Sequence, residues 1–266
     1  MKKTLSVIYI LLIIAFLYLP IALMIFLSFN DNSSAITVFR GFTFDNYIKI
    51  FKDERLLSVL MNSLLIAALS ATFSSILGTT AALGIYNLKK RTRKIVLNIS
   101  NLPIINPEIV TGISLMLIFI LLFSMLNIKL GFLTVLLSHI CFNTPYVVLN
   151  VLPRLRRMNK NLYEAALDLG CSPTGGFFRV VLPEIFPGIL AGFLISFTYS
   201  IDDFVISYFT GGTFQTLSVY INNSLKKGPQ PWMLAMTGLL FIVIFTVLLI
   251  TNIKDTVAEK KAKVSL

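Results

Sequence analysis

The sequence predicts an all-α integral membrane protein with six transmembrane helices. Three observations carry that prediction. First, 56% of the 266 residues are hydrophobic and only 13% are charged, against about 25% charged in soluble domains. Second, apolar runs long enough to cross a bilayer recur along the chain, and the connectors between them, at most about thirty residues, are too short to hold a core of their own. Third, the basic residues stand in short clusters at the ends of alternate runs. A formal net charge of +11 raises the question of nucleic acid, but this is the positive-inside distribution rather than a binding stripe. The expected surroundings are therefore a lipid bilayer, with no nucleic acid partner.

Taken in order, Lys2 and Lys3 precede a first apolar run, residues 5–27. At ~1.5 Å per residue it reaches ~34 Å, enough for a hydrocarbon layer of ~30 Å. It is too long for the apolar core of a secretory signal and no small-residue cleavage site follows, so it reads as an uncleaved span, bent at Pro20. The connector 28–57 has mixed charges, and residues 45–51 suit a short amphipathic helix on the outer surface. The second span, 59–86, carries closely spaced small residues (Ala67, Ala68, Ser70, Ala71, Ser74 and Gly78), which let helices approach closely in lipid. The basic run 89–94 marks the cytoplasm. The third span, 95–126, contains Pro103, Asn106, Pro107 and Glu108, so it is broken or bent and its freed carbonyls need partners. The fourth, 132–152, ends at the basic cluster Arg154, Arg156, Arg157 and Lys160. The fifth, 185–209, and the sixth, 233–253, flank an outer segment closed by Trp232 at the interface. With both termini inside, sixteen of the 23 lysines and arginines fall on the cytoplasmic side and seven outside.

Between the fourth and fifth spans, residues 164–183 read EAALDLGCSPTGGFFRVVLP. The pattern predicts two short helices and a sharp corner. The first covers 162–169, with Asn159 or Asn161 as its N-cap. Gly170 ends it in the left-handed conformation. Ser172 and Pro173 then open a second helix toward Leu182 as cap and first residue. Ala165 and Ala166 leave a smooth face beside Glu164, suited to a groove on another protein. Glu-Ala-Ala, three residues, Gly170, nine residues and then Val180-x-Leu182-Pro183 resembles the EAA loop of permease subunits in binding-protein-dependent ABC importers. That resemblance implies a type I ABC importer permease fold with a cytoplasmic EAA coupling loop over 162–183. It assigns Glu164, Ala165, Ala166 and Gly170 to coupling with a partner ATPase. It also implies a bacterial cytoplasmic membrane, a second permease subunit, two ATP-binding subunits and an extracellular binding protein. ATP and magnesium would be held by the partner subunits. The chain itself has no Gly-x-x-x-x-Gly-Lys phosphate loop, and no cofactor of its own is expected.

Three carboxylates, Glu108, Asp202 and Asp203, fall inside the predicted spans. An aspartate at a span centre costs ~2.5–3.5 kcal/mol on insertion scales, so such groups face a cavity or a partner. With no lysine or arginine deep in a span, an ion pair within the chain is not expected. The bland reading is a carboxylate kept protonated or hydrogen-bonded to a neighbouring helix; the functional one is an acidic lining for a cationic solute. Ser196, Tyr199, Ser200 and Ser207 share a helical stripe with Asp203. Asp203 is thus expected to face the pathway, and Asp202 either the pathway or a subunit boundary. Counting ~1.5 Å per residue from Pro183 puts both near the outer mouth, ~28–30 Å along the helix, with Glu108 nearer the membrane middle. Tyr199 and Tyr208 offer cation–π contact with an ammonium group. His139 stands alone, more in keeping with a hydrogen-bonded packing residue than with a ligand. Cys141 and Cys171 have neither metal spacing nor an expected disulfide.

Five strings spread over the chain, GFTFDNYIKIF, PEIVTGISL, GFLTVLLSHICF, EAALDLG and SFTYSIDDFVISYF, resemble the permeases of spermidine/putrescine importers. The short amino terminus resembles the smaller of that system's two permeases. The resemblance implies polyamine import by alternating access, with a polyamine-binding protein outside. The alternatives are the same machinery for another small solute, an ion-coupled carrier with internal repeats, and a membrane enzyme. The carrier reading leaves the EAA loop unexplained, and the enzyme would need more histidines than one.

Overall fold

The computed structural model describes residues 2–31, 38–124, 129–226, 228–243, 245–246 and 249. Thirteen α-helices run through the described residues. The first seven are α1 (Lys2–Leu27), α2 (Asp45–Lys52), α3 (Glu54–Asn87), α4 (Lys90–Ser100), α5 (Leu102–Ile105), α6 (Glu108–Ser124) and α7 (Phe132–Arg157). After them come α8 (Lys160–Asp168), α9 (Pro173–Gly176), α10 (Leu182–Asp202), α11 (Val205–Thr210), α12 (Leu217–Leu225) and α13 (Pro231–Val243). A π-helical turn, Phe177–Val181, joins α9 to α10. No strand occurs among the described residues; the one antiparallel bridge pairs Asn30 with Phe42.

Among the described residues, four stretches are long and apolar enough to cross a membrane: Ser6–Leu27, Glu54–Asn87, Phe132–Arg157 and Pro173–Asp202. Helices α6 and α13 are apolar but shorter, and most of 244–253, the end of the expected sixth span, lies outside the described residues. The expected third span is three helices rather than one. Asn106 takes an extended conformation, φ −70° and ψ 142°, as a residue before proline must, and α6 restarts at Glu108. The expected fifth span also differs. It begins at Pro173, because the π turn carries the helix through without a gap, and it stops at Asp202 instead of running on to 209.

The chain divides into two compact units. One comprises 1–58 and 221–266. Its helix α1 is exposed on all sides, with Leu12 64% and Phe16 79% accessible, as befits a helix surrounded by lipid. After it, the Asn46 amide donates to the carbonyls of Ser28 and Asn30 at 2.9 and 3.0 Å. Phe29 stacks on Phe42 at 4.9 Å. Together these pin α2 beneath the end of α1. The other unit, 59–220, holds the helix packing that matters for function. There α3, α7 and α10 meet through glycines. A Cβ on Gly78 would lie 2.6 Å from Val147 Cβ, one on Gly192 2.9 Å from Val147 Cα, and one on Gly188 2.8 Å from the Asn150 carbonyl. Lipid gives no hydrophobic drive for helix association, so close backbone approach and dispersion supply it. Val147, Val151, Leu155 and Ile185 close that seam, all buried.

Candidate functional site

Two local structures in the 59–220 unit bear on function. The first is the polar loop after α7. Asn159 caps α8, accepting from the Asn161 N–H at 3.1 Å. At the other end Cys171 N–H donates to the Ala166 carbonyl and Gly170 N–H to that of Leu167, at 3.0 and 2.9 Å. This is the Schellman pair of bonds, and Gly170 supplies its left-handed residue with φ +86°. Ser172 Oγ then accepts from Gly175 N–H at 3.1 Å and Pro173 follows as the first helical residue. The second helix is not a separate short one, because it continues through the π turn into α10. Behind the corner, Tyr163 packs on Gly176, where a Cβ would come within 3.0 Å of the ring. Glu164, Ala165 and Gly170 are exposed and Ala166 is half-buried. Leu169, beside them, is 87% exposed. An apolar tip next to a carboxylate on a capped, rigid corner is a surface shaped for contact.

The second structure is a cleft of about 210 Å³ bordered by both helix breaks. Asn106, Glu108 and Thr111 come from the α5–α6 corner, Phe142 and Tyr146 from α7, and Tyr199 with residues 202–206 from the α10–α11 break. Interrupted helices are tolerated at membrane depth where they line a cavity. Tyr146 and Tyr199 stack at 4.7 Å with 29° between their rings. All four sequence-predicted pathway residues, Glu108, Asp202, Asp203 and Tyr199, border this one cleft.

The two aspartates have different surroundings. Asp202 is exposed to the cleft, and among the described residues no hydrogen bond or ion pair holds its carboxylate. It also sits at the C-terminal end of α10, where the helix dipole disfavours a negative charge. Asp203 is turned inward, its side chain 4% exposed. Its carboxylate accepts from the N–H groups of Ile206 and Ser207 at 3.2 and 2.7 Å, capping α11. Its Oδ2 lies 3.3 Å from His139 Nε2. Both aspartates thus border the cleft, with Asp202 the more exposed of the two and the Asp203 carboxylate engaged by the chain. The stripe assigned to it divides, since Ser196, Ser200 and Ser207 are buried while Tyr199 is half exposed. Asp203 and His139 thus form a buried carboxylate–imidazole contact within the chain.

His139 itself is fully buried, with Nδ1 2.6 Å from Ser200 Oγ and Nε2 2.9 Å from Ser207 Oγ. Sequence reasoning missed Phe142 and Tyr146. Their spacing of three and seven residues from His139 on one helix was the available signal.

A family model described as "binding-protein-dependent transport system inner membrane component" matches residues 74–255. The spermidine/putrescine transport system permease protein PotC of Escherichia coli (strain K12) is 34% identical over 252 residues, covering 94% of this chain and 92% of its own. The putrescine transport system permease protein PotI of the same strain is 35% identical over 229 residues, covering 85% and 81%. A crystal structure of a bacterial ABC transporter involved in the import of the acidic polysaccharide alginate matches with a TM-score of 0.71 at 21% identity. It covers 94% of this chain and 93% of that one, a likeness of fold alone.

Proposed function

The chain belongs to the family of binding-protein-dependent transport system inner membrane components, and from that premise we propose that it is the permease subunit of an ATP-driven importer that carries polyamines, spermidine or putrescine, into the cytoplasm. The observation that carries the substrate class is Asp202. It is an unpaired carboxylate held against its own helix dipole in a cleft with Glu108 and two stacked tyrosines. Such a lining attracts an ammonium group by charge and by the ring faces, and it repels anions. It need not bind tightly, because a deep trap would slow release. The names of the two Escherichia coli relatives point to the same solutes.

In this reading the chain crosses the membrane six times with both termini cytoplasmic. It pairs with a second permease, two ATP-binding subunits and an external binding protein. Glu164, Ala165, Ala166 and Gly170 form the face that meets an ATPase subunit. ATP-driven closure of the ATPases pushes the capped corner, and the continuous helix from Pro173 to Asp202 transmits that push to the cleft as a lever. Its far end is the α10–α11 break, so one rigid element links the two sites.

The test is uptake of labelled spermidine and putrescine into cells lacking this chain, complemented with wild type, Asp202→Asn or Glu164→Lys. Wild type restores ATP-dependent uptake. Asp202→Asn lowers it at least fivefold with the complex still in the membrane, and Glu164→Lys abolishes it through lost coupling. Assembly of the complete wild-type complex without polyamine uptake would sink the substrate class while leaving the family intact.

A further inference from the structure

Resting on the reading of the cleft as a cation passage, we infer that His139 is a positioning residue whose imidazole clasps α10 to α11 across the break at residues 203–204 and so holds Phe204 and Val205 at the cleft. The break lacks the usual cause. Helices are interrupted by proline or glycine, yet residues 193–210, FLISFTYSIDDFVISYFT, contain neither. Residues 205–210 are helical on the far side. The break is held instead by the contacts of two side chains. Asp203 leaves helical geometry at ψ 119° and places its carboxylate over the first N–H groups of α11.

His139 then grips both sides. Nδ1 meets Ser200, one turn before the break, and Nε2 meets Ser207 and Asp203 beyond and within it. From α3, the Ser70 hydroxyl donates to Ser200 Oγ at 3.0 Å. With its proton on Nε2, the neutral ring accepts from Ser200 and donates toward Asp203 and Ser207, so the chain of groups from Ser70 onward is used in one consistent direction. A six-residue α11 is too short to persist on its own. Without the clasp, α10 runs on through Asp203, and the residues that follow it turn away from the cleft.

The experiment uses the assembled complex in membranes, with Cys141→Ser and Cys171→Ser and a single reporter, Val205→Cys, at the cleft just beyond the break. Aminoethyl methanethiosulfonate, a cationic thiol reagent, reads how accessible that position is from the cleft. His139→Leu slows labelling at least fivefold. His139→Gln, whose amide can both accept and donate, stays within about twofold of the parent. A reporter at Leu169→Cys, on the remote corner, labels at the same rate in every background. Parental labelling of the Val205→Cys reporter in an assembled His139→Leu complex overturns the clasp, and so does a His139→Gln variant as impaired as His139→Leu. Should His139→Leu not assemble, Ser207→Ala decides: slower labelling supports the clasp and an unchanged rate overturns it. Labelling needs no polyamine. A complex that moves no polyamine but whose labelling depends on His139 would refute the substrate reading and leave the clasp standing.

Discussion

Asp202 and Asp203 are neighbours in sequence with the same side chain, and their surroundings are opposite. Asp202 closes a helix at its unfavourable end, faces a cleft and has no partner among the described residues. Asp203 opens the next helix at its favourable end, is buried, and is held by two backbone N–H groups and an imidazole. One is a charge kept available; the other is used up in architecture. The lesson is that an acidic residue in a membrane span is not by itself a solute contact. The sign of the helix terminus beside it and the presence of a partner decide its role.

Four substitutions break or sharpen this contrast. The largest effect on stability is expected for Asp203→Ala, which removes the α11 cap and strands a buried imidazole. Leaving a buried donor unsatisfied costs about 1–3 kcal/mol and losing the cap about 0.5–2 kcal/mol more, read as lost complex after solubilisation and a lowered thermal midpoint. Asp203→Asn keeps an acceptor for the α11 N–H groups but loses the charge. Its loss should be about 1.5–3 kcal/mol, the worth of hydrogen bonds to a charged group. Gly170→Ala tests a corner held by backbone geometry instead of side chains. At φ +86° an L-residue costs about 1–2 kcal/mol, so the midpoint falls by a few degrees while the cleft keeps its shape. The smallest change belongs to Asp202→Asn, within about 0.5 kcal/mol as for exposed positions without partners, although its uptake falls. If Asp202→Asn proves as destabilising as Asp203→Asn, the division between available and structural charge is wrong.

Much of the arrangement was legible beforehand because it is set by short-range chemistry. Asn159, Gly170, Ser172 and Pro173 each have a local preference that acts within one turn, and the structure realises all four. The break before Glu108 was readable from Asn106-Pro107 for the same reason. The second break has no proline or glycine to mark it, only Asp203 as a cap residue. Extending one helical register through Asp203 put Ser196, Tyr199 and Ser207 on a single face, whereas the serines and the tyrosine differ in exposure. Tyr146 and Phe142 escaped notice because an aromatic residue in a span carries no sign of which neighbour it will meet.

What the sequence determined by itself was what depends on composition and on residues a few positions apart. That includes the membrane-embedded helical class, the capped corner around Gly170 and the set of acidic residues that border the cleft. What only the tertiary structure decided is which of those acids remains free. The choice rests on His139, more than sixty residues from Ser200 and Ser207 in the chain, and it exists only once α7 and α10 have packed. Glycines let those helices come close enough for an imidazole to reach both sides of a break. Local preference supplies only the Asp203 cap there.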